Sequence, residues 1–91
     1  MHLEYSEAKR RQILADRGLD ILKAARIFEG YTLTKRDTRE DYGEVRYISL
    51  GLVDDVPYVV VHTPRGNNTR LITAWKGGRR DYERYKNSFS G

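Results

Sequence analysis

From Glu44 to Val53 the chain reads EVRYISLGLV, and its residues alternate in character. Glu44, Arg46, Ile48, Leu50 and Leu52 fall on one side, and Val45, Tyr47, Ser49 and Gly51 on the other. A period of two is the side-chain repeat of an extended strand, so this stretch predicts a β-strand. It grows out of a polar, turn-rich run that begins at Asp37. The stripe Ile48-Leu50-Leu52 requires a core. The same stripe starts with a carboxylate and a guanidinium, which are thereby carried from solvent to the rim of the buried face. The plainer reading of Glu44 and Arg46 is an exposed ion pair, which contributes little to stability.

Turn residues place further strands on either side. Asp54-Asp55 has a common hairpin length and joins this strand to Val56–Thr63. Val59-Val60-Val61 suits a central position, and Pro57 is tolerated near a strand start. Pro64–Asn68 forms a second turn, Thr69–Lys76 a fourth strand, and Gly77-Gly78 ends it. Upstream, Tyr31–Arg36 is β-prone and reads as an edge. Before it lie two helices. Ser6 caps Glu7–Arg17, whose Ala8, Ile13 and Leu14 give a modest apolar stripe, and Gly18 ends it. Asp20 caps Ile21–Phe28, whose Ile21, Leu22, Ala24, Ala25 and Phe28 form a stronger apolar face, and Gly30 stops it. After the sheet, Arg79–Asn87 reads as a basic helix. The expected fold class is α+β: two N-terminal helices, a four-stranded, mainly antiparallel sheet and a C-terminal helix. The helices are expected on one sheet face, with the other partly open.

At 91 residues the chain is expected to be one domain spanning 1–91, with a small core. It has no cysteine and two histidines, His2 and His62, so neither a thiolate metal site nor a disulfide is expected, and no cofactor is called for. No apolar run reaches the length of a membrane span, and Met1–Tyr5 has no apolar signal segment, which fits a cytoplasmic chain. The net charge of +4 is uneven. Residues 56–91 carry seven Lys or Arg against two Asp or Glu, interleaved with Trp75, Tyr82 and Tyr85. A phosphate-rich ligand would favour such a cluster, and so would a plain basic helix with tyrosines turned to the core.

Three phrases carry a resemblance to a known family. They are DTREDYGEVRYISLG at 37–51, VVVHTPRG at 59–66 and RLITAWK at 70–76. The N-terminal helices add Lys9, the run Arg17-Gly18-Leu19-Asp20, and Phe28. In order and spacing these resemble the BrnT family, the toxin half of a type II toxin–antitoxin pair. The resemblance covers nearly the whole chain. It implies a RelE-like fold and metal-independent endoribonuclease activity that arrests growth. It also implies neutralisation by a BrnA-like antitoxin with a ribbon-helix-helix domain. Operator DNA is then reached only through the antitoxin, in a complex that contains a homodimer within a heterotetramer. The chain also departs from the family. Trp75 stands where relatives carry arginine, Gly77-Gly78 replace Ala-Thr, and Asp81 replaces glutamate.

Metal-free RNA cleavage needs a base for the 2′-hydroxyl proton, cations around the phosphorane and an acid for the leaving oxygen. Glu44 is the candidate base. Arg46, Arg65 and Arg70 are candidate phosphate clamps, because a guanidinium donates in a planar fork and keeps its charge. Lys76, Arg79 and Arg80 are further candidates for holding the backbone or the leaving group. His62 is the one well-placed residue whose unperturbed pKa lies near neutrality, although a lone histidine on a valine-rich strand is more often a half-buried, hydrogen-bonded residue. Arg70 and Lys76 are expected on one side of their strand, with Trp75 on the opposite side beside Thr73 and Leu71. Trp75 can stack an unpaired base, anchor a partner or fill the core. Two other functions stay open: a catalytically impaired antitoxin-binding partner, and a basic nucleic-acid-binding module.

Overall fold

In the computed structural model, which describes residues 1–88, the first element is a strand, β1 (His2–Glu4). Then follow α1 (Glu7–Arg17) and α2 (Ile21–Ala24), the latter continuing as a 3-10 turn over Ala25–Glu29. The sheet strands are β2 (Leu33–Arg36), β3 (Tyr47–Val53), β4 (Val56–Arg65) and β5 (Asn68–Lys76), and α3 (Arg79–Asn87) comes last. The sheet order is β1-β5-β4-β3-β2, with β4 in the middle and β2 at an edge. β1 runs parallel to β5 and every other pairing is antiparallel. The sheet is therefore five-stranded and mixed, not four-stranded as expected. Three residues are too few to show a period, and the partner of β1 lies more than 60 residues along the chain, so no local signal announces it.

The helix ends follow their caps. Ser6 accepts from the Lys9 N–H at 3.2 Å and Asp20 from that of Leu22 at 3.0 Å. Gly18 closes α1 in the left-handed region at φ 64°, donating its N–H to the Leu14 carbonyl at 2.9 Å. The Asp54-Asp55 turn takes φ of 52° and 65°, the primed geometry that matches strand twist and that aspartate tolerates.

The two sheet faces are both partly covered, and this corrects the expectation of helices on one face. The larger core joins Ile13, Leu19, Ile21, Ala24, Ala25 and Ile27 of the N-terminal helices to Val53, Tyr58, Val60, Leu71 and Ala74. A smaller one joins Tyr85 of α3 to Leu50 and Val59, flanked by Leu33, Ile48, Leu52 and Trp75. The stripe Ile48-Leu50-Leu52 thus faces the minor core. The residues between them, Ser49, Gly51 and Val53, turn to the major one. Gly51 has no side chain because the N-terminal helices press against it: a Cβ there would lie 2.6 Å from that of Ile27. α3 covers only part of its face. The Tyr85 hydroxyl donates to the Tyr31 carbonyl at 2.8 Å, and Tyr82 donates to Asp55 at 3.0 Å, so the helix crosses at the β3–β4 turn.

A bulge in β5 re-aims its side chains. Val61 pairs with Thr73 but His62 pairs with Leu71, which leaves Ile72 as the extra residue. One extra residue reverses the alternation. Arg70, opposite Thr63, and Trp75, opposite Val59, therefore share the α3 face, while Leu71, Ala74 and Lys76 turn to the other. The expected grouping of Arg70 with Lys76, and of Trp75 with Leu71, is reversed.

Candidate functional site

Beyond α3, the same sheet face carries partly exposed arginines over a buried floor of Val61 and Thr63, and it opens at the β4–β5 turn. Across it runs a row of side chains set by strand register. The β3–β4 pairing ends at Tyr47 and His62, and Arg46, the residue just before β3, is held there by the Asp37 N–H donating to its carbonyl at 2.8 Å. Thr63 Oγ1 donates to the Val45 carbonyl at 2.6 Å and holds that strand end in place. Thr63 pairs with Arg70, and Arg70 with Glu4 of β1. Arg46 and Arg70 are therefore two strands apart, about 10 Å between backbones. Arg65 lies two residues beyond Thr63, so it shares the face at the exposed turn.

Arg46 and Arg70 carry carboxylate partners. Arg46 Nε donates to Glu44 at 3.0 Å, and its guanidinium lies 4.2 Å from the centre of the Tyr42 ring. Arg70 sits 3.7 Å from Glu4, which also accepts from Asn68 at 2.8 Å. The side chains of Glu44, Arg46 and Arg70 are each partly buried, so the pairs are anchored without being sealed from solvent.

The loop between β2 and β3 adds residues that the sequence pattern does not single out. Asp37 is buried, its side chain wholly so. Its carboxylate accepts Arg39 Nε and Nη2, both at 2.8 Å, the Arg39 backbone N–H at 3.2 Å and the Tyr42 hydroxyl at 3.1 Å. Its own N–H donates to the Arg46 carbonyl at 2.8 Å. The Arg39 guanidinium donating into it, with the help of the Arg39 N–H, holds the Asp37 carboxyl well below the usual carboxylate range. Burial, and then the bond to Asp37 and its charge, push the Tyr42 phenol up, so it keeps its proton. Arg39 leaves this fork partly exposed and reaches over Trp75, 5.9 Å from the ring centre. The local signal lies in Asp37-Thr38-Arg39, since aspartate bonding the N–H two residues on is an Asx turn.

The remaining predicted residues lie elsewhere. His62 faces the N-terminal helices, where Nε2 lies 2.7 Å from Ser49 Oγ, and Ser49 lies 2.7 Å from Thr34 Oγ1. The imidazole packs edge-on to Phe28 and stacks on Tyr47, and burial pushes its pKa down. His62 is thus half-buried and hydrogen-bonded, on the face opposite Arg70. Lys76 also turns to that face. Arg79 and Arg80 are exposed at the start of α3, after Gly77 has bonded Pro57 beside the β3–β4 turn. The structure therefore brings Glu44, Arg46, Arg65, Arg70 and Trp75 to one face, adds Arg39, and separates His62 and Lys76 from them.

Comparison with known proteins bears on what this face does. No curated protein matches the chain significantly. A family model described as the ribonuclease toxin, BrnT, of type II toxin–antitoxin systems matches residues 5–81. That span runs from the residue before the α1 cap to the first turn of α3 and takes in the whole arginine-bearing face. The chain therefore belongs to the BrnT family of type II toxin–antitoxin ribonuclease toxins.

Proposed function

We propose that the chain is a metal-independent endoribonuclease. It cuts RNA in the cytoplasm to arrest growth and is neutralised by a BrnA-like ribbon-helix-helix antitoxin. One observation carries this reading: Arg46 and Arg70, both partly exposed, flank the buried Thr63 on one sheet face, with Arg65 exposed at the turn and Glu44 bonded to Arg46. The carboxylates at this face are engaged by arginines rather than gathered as a metal-ligand set.

In this mechanism a phosphodiester lies across the row, bridged by Arg46 and Arg70. Guanidinium forks match the equatorial oxygens and stabilise the charge that builds up on them. As Arg46 turns to the phosphate it releases Glu44, whose freed carboxylate takes the 2′-hydroxyl proton. The oxygen then attacks phosphorus, and the 5′-oxygen leaves, protonated by solvent reaching the exposed edge. Arg65 holds the neighbouring backbone. Trp75, partly buried beside Leu50 and Val59, stacks an unpaired base.

The test is cleavage of a defined RNA in the presence of EDTA. Wild type cuts it, and Arg46→Ala cuts roughly 100-fold more slowly or not at all. Intact RNA with wild type, or equal rates in the two proteins, overturns the proposal. Trp75 favours a second reading, in which the fold binds its antitoxin without cutting, because a packed indole occupies the place of an arginine. That reading predicts a stable complex with the antitoxin and no growth arrest when the chain is expressed alone.

A further inference from the structure

Asp37 takes no role from the sequence pattern, and its placement is unusual for a loop residue. Its side chain is fully buried, although the loop that follows it is largely exposed. The carboxylate gathers four donor groups: two nitrogens of the Arg39 guanidinium, the Arg39 backbone N–H and the Tyr42 hydroxyl. Both arginines of this end of the face depend on it. Arg39 is held through a bidentate fork, which fixes the plane of the guanidinium and leaves Nη1 pointing away from the carboxylate. Arg46 is held twice over. Its carbonyl accepts the Asp37 N–H, and its guanidinium lies on the ring of the tyrosine whose hydroxyl Asp37 accepts.

We propose that Asp37 is a positioning residue for RNA, a buried carboxylate that presents Arg39 and Arg46 to adjacent phosphates on the open face. Arg39 is then an RNA-binding residue, seated where it can meet a phosphate next to a base stacked on Trp75. The inference rests on the RNA reading of the face. A scaffold role alone would account for the hydrogen bonds. It does not account for a buried carboxylate that grips one exposed guanidinium in a fork and fixes the tyrosine on which a second, partly exposed one lies.

The sign of the charge change separates the two roles. Asp37→Asn removes one negative charge from a protein that binds a polyanion. If Asp37 only shapes the loop, or acts through net charge, RNA binds equally well or more tightly. If it positions the arginines, binding weakens despite the added positive charge. The experiment measures the affinity of a 2′-deoxy-substituted RNA analogue that cannot be cut, as a function of salt, for wild type, Asp37→Asn and Arg39→Lys. The expected result is affinity roughly tenfold or more weaker for Asp37→Asn. The slope of log affinity against log salt falls by about 0.7 for each phosphate that an arginine no longer neutralises, so by up to about 1.4 when both are displaced. Arg39→Lys keeps the charge but not the fork, and is expected to weaken binding through Arg39 alone. It also serves if Asp37→Asn fails to fold. Asp37→Asn folded and binding as tightly as wild type, or Arg39→Lys binding unchanged, overturns the inference while leaving RNA binding in place. Failure of wild type itself to bind the analogue overturns both this inference and the RNA reading.

Discussion

Asp37 is ionised in the folded chain because Arg39 and Tyr42 donate into its buried carboxylate, and this has a consequence for acid stability. Its folded pKa lies below the unfolded value of about 3.9, so the folded state gains from its ionisation at any pH above about 4. That contribution is lost as the pH falls from about 4 toward the folded pKa, because the folded state must then take up a proton it binds weakly. Thermal unfolding followed from pH 7 to pH 2 is expected to show this as a fall in Tm that is shallower in Asp37→Asn. A parallel fall in the two proteins contradicts the assignment. His62 has the opposite arrangement of causes: burial disfavours its charged form and lowers its pKa. The neutral ring therefore persists at pH 7 while it bonds Ser49, which is 0% exposed. His62→Gln, which keeps a polar end, is expected to alter RNA cleavage less than about threefold, measured as the rate on a defined RNA. A larger loss in a protein of unchanged Tm places His62 in the chemistry after all.

At the scale of elements, the tightest constraint is the approach of the 3-10 turn over Ala25–Glu29 to β3. Gly51→Ala places a methyl 2.6 Å from the Ile27 Cβ, and backbone must move to admit it. The expected cost is about 1–3 kcal/mol by urea unfolding, and in a double-mutant cycle Ile27→Gly, which removes the Cβ that the new methyl meets, is expected to recover part of the loss from the glycine change. Additive effects of the two changes contradict a direct clash. Tyr85 locks α3 across the other face, and Tyr85→Phe is expected to cost about 1 kcal/mol by leaving the Tyr31 carbonyl without that donor. These elements are readable in the sequence to different degrees. The caps at Ser6, Asp20 and Gly18, the hairpin at Asp54-Asp55 and the edge position of β2 follow from local chemistry, and all are present. Period two places Ile48, Leu50 and Leu52 on one face, but β3 starts at Tyr47 rather than at the expected Glu44, because the residues before it belong to the loop that Asp37 and Thr63 hold. Period two misplaces Lys76, Trp75 and Leu71 because a bulge at Ile72 leaves no mark in composition. β1 and the reach of Arg39 to Trp75 depend on residues far apart in the chain, and no window of sequence contains them.

On the scale of the whole molecule, one sheet has two different faces. The N-terminal helices seal one with the larger core, and α3 covers part of the other. Between α3 and the β2 edge lies a groove of about 320 Å³ lined by Leu33, Thr34, Lys35, Ile48, Leu50 and Arg84. Farther from α3, the same face carries Arg46, Arg65 and Arg70. The charge of the basic C-terminal third is therefore divided between the sheet and α3. Arg79, Arg80 and Arg84 ride on α3, with Arg79 and Arg84 paired to Glu83 and Asp81, while the arginines expected to meet phosphate sit on the sheet. The proposed chemistry stands on that division of faces. Comparing RNA cleavage rates tests it, with EDTA present and folding verified, for Arg46→Ala and Arg70→Ala on the open face against Lys76→Ala on the opposite one. Losses of roughly 100-fold are expected for each of the first two, and less than about threefold for Lys76→Ala. Equal losses at all three positions, or a loss confined to Lys76→Ala, would contradict it.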